Sequence, residues 1–177
     1  MRQEDISVTS FTLKHGALGG VATALFSLVL MLVGMADSAG VGALAYLIMA
    51  GFILWAQIDY RRSEILPVEY GDAFKVGAMT TLYIAVIAIL YGFLHWNVID
   101  PETGARALAA AEAALAEQNL PPDQAEQAMA VQRVMVGPIV APIVGGVISC
   151  IVGIIISLLT AIGTRRGDEL AAEEASE

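Results

Sequence analysis

The sequence predicts an all-α membrane protein, a bundle of four transmembrane helices with an extramembrane α-helical hairpin between the third and fourth spans. Its 177 residues are 57% hydrophobic and only 15% charged, whereas a soluble domain carries about a quarter charged residues. The mean hydropathy is +0.70. The excess of apolar residues lies in four stretches, each close to the roughly 20 residues that a helix needs to cross a bilayer core.

The four apolar stretches cover about residues 16–36, 41–58, 76–96 and 138–162, and none contains Lys, Arg, Asp or Glu. We expect them to form one domain over residues 1–166, followed by an acidic disordered tail at 167–177. A signal peptide is the alternative for the first stretch. The acidic pair Glu4 and Asp5 precedes that stretch, which is also longer than the 7–15 apolar residues of such a signal, so we expect no cleavage.

The first span opens with "GALGG", Gly16–Gly20. A glycine-rich turn that binds dinucleotides follows a strand, and no strand pattern precedes this one. The glycines are instead expected to let the first helix approach a neighbour closely.

The second and third spans are joined by "DYRRSEILPVEYGDAFKVG", residues 59–77. The pair Gly71-Asp72 predicts the start of the third helix, with the Asp72 carboxylate near the unpaired N–H groups of the first turn. The mixed charges of this loop have two interpretations. The loop could bind a partner or lipid headgroups, or it could be a solvated loop whose basic residues anchor the helices at the membrane surface. We favour the solvated loop.

Basic residues predict the orientation. Of the nine Lys and Arg residues, two (Arg106 and Arg133) lie between the third and fourth spans, and seven flank the other side of the bundle. Because Lys and Arg concentrate in short cytoplasmic loops, we expect a multi-pass protein of the cell (inner) membrane with both termini cytoplasmic. Aromatic and basic side chains near the span ends are expected to anchor it at the membrane interface. They are Trp55, Tyr60, Arg61, Arg62, Lys75, Trp96, Arg165 and Arg166.

The segment between the third and fourth spans is rich in Ala, Glu and Gln, which favour helix. Pro121-Pro122 divides it. We therefore predict two helices, near 103–118 and 122–136, that form an outer hairpin over about 103–136.

The fourth span carries a small residue at every fourth position. Small residues let helix backbones meet in a bilayer, so these seven are expected to be helix-packing positions: Gly137, Ala141, Gly145, Ser149, Gly153, Ser157 and Ala161. Successive positions drift by about 40° around the helix. Ala141 and Gly145 are therefore expected to meet one helix, and Gly153 and Ser157 another. The fourth span would then be central in the bundle, or shared between the bundle and an oligomer partner.

No catalytic, cofactor-binding or metal-ligating set is recognisable. The single cysteine, Cys150, lies in the middle of the fourth span, and His15 and His95 lie at opposite ends of their spans. We expect no enzymatic activity, no cofactor and no metal. The net charge of −9 and the lack of a basic stripe exclude nucleic acid as a partner.

Three short segments carry a family resemblance: "LKHGALGG" at the head of the first span, "IDYRR" at the end of the second and "YGDAFKVG" at the start of the third. With the final Arg pair they resemble a family of uncharacterised bacterial integral membrane proteins, a domain of unknown function with four transmembrane helices. The resemblance implies the topology and the membrane location, and it brings no activity.

Two functions remain open. The favoured one is a structural or accessory membrane protein that acts through helix packing, with the lipid bilayer, a further copy or a membrane protein as partner. The alternative is a small-solute transporter or channel. Since four helices rarely enclose a pore, that alternative requires an oligomer.

Overall fold

The computed structural model describes residues 3–36, 38–63, 68–118 and 121–164, and within these ranges the chain is helical without a strand. Four of the helices are long and apolar enough to cross a membrane, over Val8–Leu32, Gly40–Ser63, Tyr70–Ile99 and Val140–Thr164. The predicted all-α, four-span fold class is confirmed. The predicted tail at 167–177 lies outside the described residues.

The helices follow one another in the order of the predicted spans and hairpin. Their bounds are α1 (Gln3–Leu32), α2 (Ala39–Gly42), α3 (Leu44–Ser63), α4 (Tyr70–Leu94), α5 (Thr103–Glu117), α6 (Pro122–Met135) and α7 (Val140–Thr164). A five-residue π-helical turn, His95–Ile99, directly follows α4. Helices α5 and α6 differ from the predicted hairpin segments by one residue at one end each.

Two spans begin earlier than their apolar stretches. Helix α1 starts at Gln3 rather than near 16, and α4 starts at Tyr70, which places Asp72 inside its first turn. The hydrophobic stretch predicts only the part of a helix that matches the hydrocarbon core, and a helix can continue beyond it through polar residues.

Helix α1 ends in a glycine-capped turn. Gly34 has a φ of 72°, and its N–H donates to the Met31 carbonyl at 3.0 Å, while the Met35 N–H donates to the Leu30 carbonyl at 2.8 Å. This pair of bonds satisfies the last carbonyls of the helix and needs a left-handed residue, which glycine adopts without a side-chain clash.

Gly137 lies between α6 and α7 rather than in the last span. Its N–H donates to the Val134 carbonyl at 3.2 Å, and its own carbonyl accepts from Ala141 at 2.9 Å. Pro138 has no N–H and disfavours a helical residue before it, so the two helices are separate.

The described chain forms two compact units, one with the residues up to Ile87 and from Ile148 onward, the other with Ala88–Val147. Met49, Ile53 and Ile84 form the main hydrophobic core of the first unit, with Phe52, Val152 and Ile156 packed against it. A second cluster, Val68, Ala73 and Ala161, lies where α4 begins and α7 ends.

Helix α1 packs through its glycines, as the "GALGG" segment predicts. A Cβ atom added at Gly16 would lie 2.5 Å from Tyr83 Cβ, and one at Gly20 would lie 2.7 Å from Ile87 Cβ. One at Gly19 would lie 2.9 Å from Phe52 Cβ. These approaches are closer than any side chain permits, so glycine at each position brings α1 against α3 and α4.

In the second unit, α5 packs against α6. The Trp96 ring lies over Gly104, where an added Cβ would be 3.3 Å from Trp96 Cζ3. Pro142, in the first turn of α7, packs on Gly92 of α4, where an added Cβ would be 2.9 Å from the Pro142 Cβ. A proline is tolerated there because the first N–H groups of a helix have no partner within it.

Candidate functional site

Polar side chains gather at one end of the first unit, where the first half of α1, the last turns of α3 and α7 and the first turn of α4 meet. We call this the polar end. Contacts between helices define it: His15 of α1 with Asp59 of α3, and the Tyr70 hydroxyl of α4, which donates to the Leu158 carbonyl of α7 at 3.3 Å.

The most unusual feature of the polar end is a buried histidine. His15 is fully buried, and its Nε2 lies 3.3 Å from Asp59 Oδ2, whose side chain is 36% exposed. The ring packs edge-on against Trp55, with centroids 4.9 Å apart. His15 and Asp59 both lie within candidate spans, Asp59 one turn before the end of its span at Ser63.

The hydrogen bonds of His15 restrict where its protons lie. Nδ1 is 2.8 Å from the Phe11 carbonyl oxygen, which can only accept, so Nδ1 carries a proton. In a neutral ring, Nε2 then carries a lone pair and has no proton to donate to Asp59. The 3.3 Å contact does not meet hydrogen-bond geometry.

Gln57 links three helices deeper in the same unit. It is 1% exposed, and its Nε2 donates to the Ala73 carbonyl of α4 at 3.1 Å and to the Ser157 carbonyl of α7 at 3.2 Å. Its Oε1 is buried without a hydrogen-bond partner. Two carbonyls fix the orientation of the amide, because the opposite orientation would bring oxygen against oxygen.

Hydroxyl groups extend this polar contact between α4 and α7. The Ser157 hydroxyl donates to the Gly153 carbonyl at 2.7 Å and lies 3.2 Å from the Thr81 hydroxyl oxygen. An added Cβ at Gly77 would lie 2.5 Å from Gln57 Nε2, and one at Gly153 would overlap the Thr81 side chain. The glycines therefore create the space in which these hydrogen bonds form.

The structure divides the seven predicted packing positions of the fourth span. Gly153, Ser157 and Ala161 are buried, and Ala141 and Ser149 are half-buried. Gly145 is exposed, and an added Cβ there would meet no atom within 4 Å. The expectation that Gly145 packs against another helix of the chain is therefore not met, and Gly137 lies outside α7.

Some of the seven positions pack and others do not, because a strict four-residue repeat drifts around the helix. The buried residues of α7 are Pro142, Gly146, Gly153, Ser157, Ala161 and Thr164, separated by 4, 7, 4, 4 and 3 positions. Mixed steps of three and four follow one face of a helix with 3.6 residues per turn, whereas unbroken steps of four leave it. Pro142 and Gly146 therefore replace Ala141 and Gly145 on the packed face.

The predicted interface residues occupy varied positions. Trp55, Arg62 and Lys75 are exposed, and Tyr60, Arg61 and Trp96 are half-buried, while Arg165 and Arg166 lie outside the described residues. Arg61 and Arg62 line a groove between the ends of α3 and α7, with a volume of about 570 Å³. The arginines are recognisable in the sequence as anchors, whereas the groove is not, because it depends on how two helices pack.

The second unit carries its own polar group after the π-helical turn. Arg106 forms a two-pronged contact with Asp100, with Nη1–Oδ1 and Nη2–Oδ2 distances of 3.1 and 2.5 Å. The hydrogen bond from Arg106 lowers the pKa of the Asp100 carboxyl to about 2. The neighbouring His95 Nε2 lies 3.4 Å from the Thr103 hydroxyl oxygen.

Within the described part of the chain, no group of three or more His, Cys, Asp or Glu residues could hold a metal ion. Cys150 is half-buried with a free thiol.

The His15–Asp59 pair could have been anticipated from the predicted topology. Consecutive spans are antiparallel, so the start of the first span and the end of the second lie at the same depth in the membrane. The unpaired Gln57 oxygen had no comparable signal, because it depends on the rotation of three helices.

Comparison with known proteins identifies one family. A family model described as a protein of unknown function, DUF4199, matches residues 14–166. No curated protein and no solved structure matches the chain.

Proposed function

Since the chain belongs to the DUF4199 family of unknown function, which confirms the resemblance found in the sequence, we propose its role from its contacts. We propose that this membrane protein is a structural or accessory component that acts through helix packing, with a further copy or a partner complex. The observation that carries the proposal is the set of glycine contacts between α1, α3, α4 and α7. In the first unit, even a methyl group at Gly16, Gly77 or Gly153 would clash with a neighbouring helix.

Such close contacts between helices favour a structural role over a solute path through a single copy of the protein. A solute path between these helices would need space at the levels where the glycines bring the backbones together. The outward face of α7 in the first unit is instead entirely apolar, with Ile151, Ile155 and Leu159 all more than half exposed. That face suits lipid or another apolar helix.

The location belongs to the same proposal. We place the protein in the cell (inner) membrane with both termini cytoplasmic, because seven of its nine basic residues flank one side of the predicted bundle. The polar end of the first unit would then face the cytoplasm.

Cross-linking in living cells tests the accessory role. A photoreactive amino acid placed at Ile151 or Ile155 is expected to give discrete adducts with a second copy or with one other membrane protein. Ile53, which is fully buried, is the matched control and should give none. If the whole exposed face of α7 yields only lipid adducts, the accessory role is wrong.

The His15–Asp59 pair favours a second candidate, a small-solute transporter or channel that works as an oligomer. Ionisable residues inside membrane spans commonly belong to ion or proton pathways. Purified protein in liposomes would then move protons or a solute, and His15→Gln and Asp59→Asn would each abolish the flux. His95→Gln and Asp123→Asn, which remove the same groups elsewhere, are the controls. We expect no flux above that of empty liposomes, and a flux lost in only the first two variants would favour this candidate.

A further inference from the structure

The groove between the ends of α3 and α7 is built from two kinds of surface. On α3, Leu54 and Ile58 line its inner part, and Arg61 and Arg62 line its outer part, one turn further along the helix. Leu159 faces them from α7. The groove therefore changes from apolar to cationic along its length.

Among the described residues that line the groove, two are arginines and none is a carboxylate. The Thr160 and Thr164 hydroxyls at its α7 wall donate to carbonyls of their own helix, Ile156 at 2.8 Å and Thr160 at 3.1 Å. The side chains of Arg61 and Arg62 are thus the cationic groups that an anion in the groove would meet, and a guanidinium matches the geometry of a phosphate.

Space and access also suit a bound molecule. The volume of about 570 Å³ falls within the roughly 300–1,000 Å³ of small-molecule sites. An added Cβ at Gly163 would meet no atom within 4 Å, so no side chain of α7 obstructs the groove at this position, near its cationic end. Leu54 and Leu159 are 38% and 64% exposed, which leaves the apolar part open to acyl chains from the side.

We propose that this groove is a binding site for an anionic glycerophospholipid, with its phosphate on Arg61 and Arg62 and the upper part of its acyl chains along Leu54, Ile58 and Leu159. Basic pockets between transmembrane helices are known to bind anionic headgroups. The inference requires that the helices lie in a membrane, and it is independent of the accessory role.

Native mass spectrometry of the full chain in mild detergent tests the site. The probes are phosphatidylglycerol and phosphatidylcholine with identical acyl chains, and inorganic phosphate as a competitor. We expect the wild-type protein to prefer phosphatidylglycerol, and R61Q/R62Q to bind it about tenfold more weakly, since charge-assisted hydrogen bonds are lost. The control K75Q/R133Q removes the same net charge outside the groove and should bind like the wild type.

A second variant separates the groove from charge alone. Gly163→Leu keeps every charge and places a side chain in the groove. It should therefore weaken phosphatidylglycerol binding, while the thermal unfolding temperature stays close to that of the wild type. This variant also decides the matter if R61Q/R62Q does not fold. Equal binding of the two lipids, or phosphatidylglycerol binding that survives Gly163→Leu, would overturn the proposal. Displacement of the lipid by millimolar phosphate would mean a site for a free anion and would also overturn it.

Discussion

Gln57 holds helices of the first unit together by donating hydrogen bonds to their backbones. Both of its hydrogen bonds end on carbonyls of other helices, Ala73 of α4 and Ser157 of α7. Those carbonyls lie within helices and have a second lone pair available. In a bilayer, where the hydrophobic effect does not hold helices together, such contacts are a principal source of cohesion, each contributing about 0.6 to 2 kcal/mol.

Asp100 gives a prediction for one titrating group outside the spans. The hydrogen bond from Arg106 holds the pKa of its carboxyl at about 2, below the value of about 3.9 for an unperturbed Asp. A lowered pKa means that the pair stabilises the fold fully above about pH 4 and loses this effect as the pH falls toward 2.

The measurement is an NMR titration of the Asp100 carboxyl carbon in the full chain. The wild type should titrate near pH 2, and Arg106→Gln should move the midpoint up toward about 3.9. Arg133→Gln, which removes an arginine elsewhere in the same unit, should leave the midpoint unchanged. An unchanged midpoint in Arg106→Gln would mean that Arg106 is not the cause.

At the scale of the element, α7 makes the clearest distinction between positions that look alike in the sequence. Gly145 and Gly153 are both members of the four-residue repeat, yet the space at Gly145 is open and the space at Gly153 is filled by Thr81. Gly153→Leu should therefore destabilise the protein by about 1–3 kcal/mol or more, as overpacking does. Gly145→Leu should not change the stability of a single copy.

Thermal unfolding and size-exclusion profiles in detergent measure the stability and the assembly of the Gly145→Leu and Gly153→Leu variants. A shift of Gly145→Leu to a smaller species would place a further copy on that face, and equal stability of both variants would contradict the packing of α7 described above.

The end of α1 depends on one backbone conformation. Gly34 has a φ of 72° and no atom within 4 Å of an added Cβ, so any cost of Gly34→Ala comes from the left-handed backbone, about 1–2 kcal/mol. Gly40→Ala, in the short helix α2 and equally open, should be neutral or slightly stabilising because alanine favours helix. Chemical unfolding of the two variants in one detergent compares them, and equal stability would argue against the capped end.

The position of each helix in the chain was predictable, because it depends on local composition. Which helices pack against one another was not predictable in the same way. Runs without charge predicted four spans, and Pro121-Pro122 predicted the division between α5 and α6. The small-residue repeat predicted close packing in α7, but the positions that pack follow the 3.6-residue turn and not the four-residue pattern. The topology predicts that His15 and Asp59 lie at the same depth, but their contact also depends on how α1 and α3 are rotated toward each other. The Arg61–Arg62 groove likewise exists only once α3 and α7 are side by side.

At the scale of the whole molecule, the distribution of basic residues predicts which ends face the cytoplasm. Single cysteines at Ser63 and Ala113, in a chain without Cys150, should lie on opposite sides of the membrane. A membrane-impermeant thiol reagent added to intact cells should label position 113 and spare position 63, and both should react after lysis. Both positions are exposed in the structure, so burial does not explain a failure to react. Labelling of position 63 in intact cells would reverse the proposed orientation.

The glycines of α1 also fix where that helix lies along its own axis. The side chains of Tyr83, Phe52 and Ile87 fill the gaps at Gly16, Gly19 and Gly20. A slip of one turn, about 5.4 Å, would bring Thr12 to the place of Gly16 in one direction, or Thr23 to the place of Gly19 in the other. Either side chain would overlap the neighbour that now fills the gap. The axial position of the first helix is therefore set by the places where its side chains are missing.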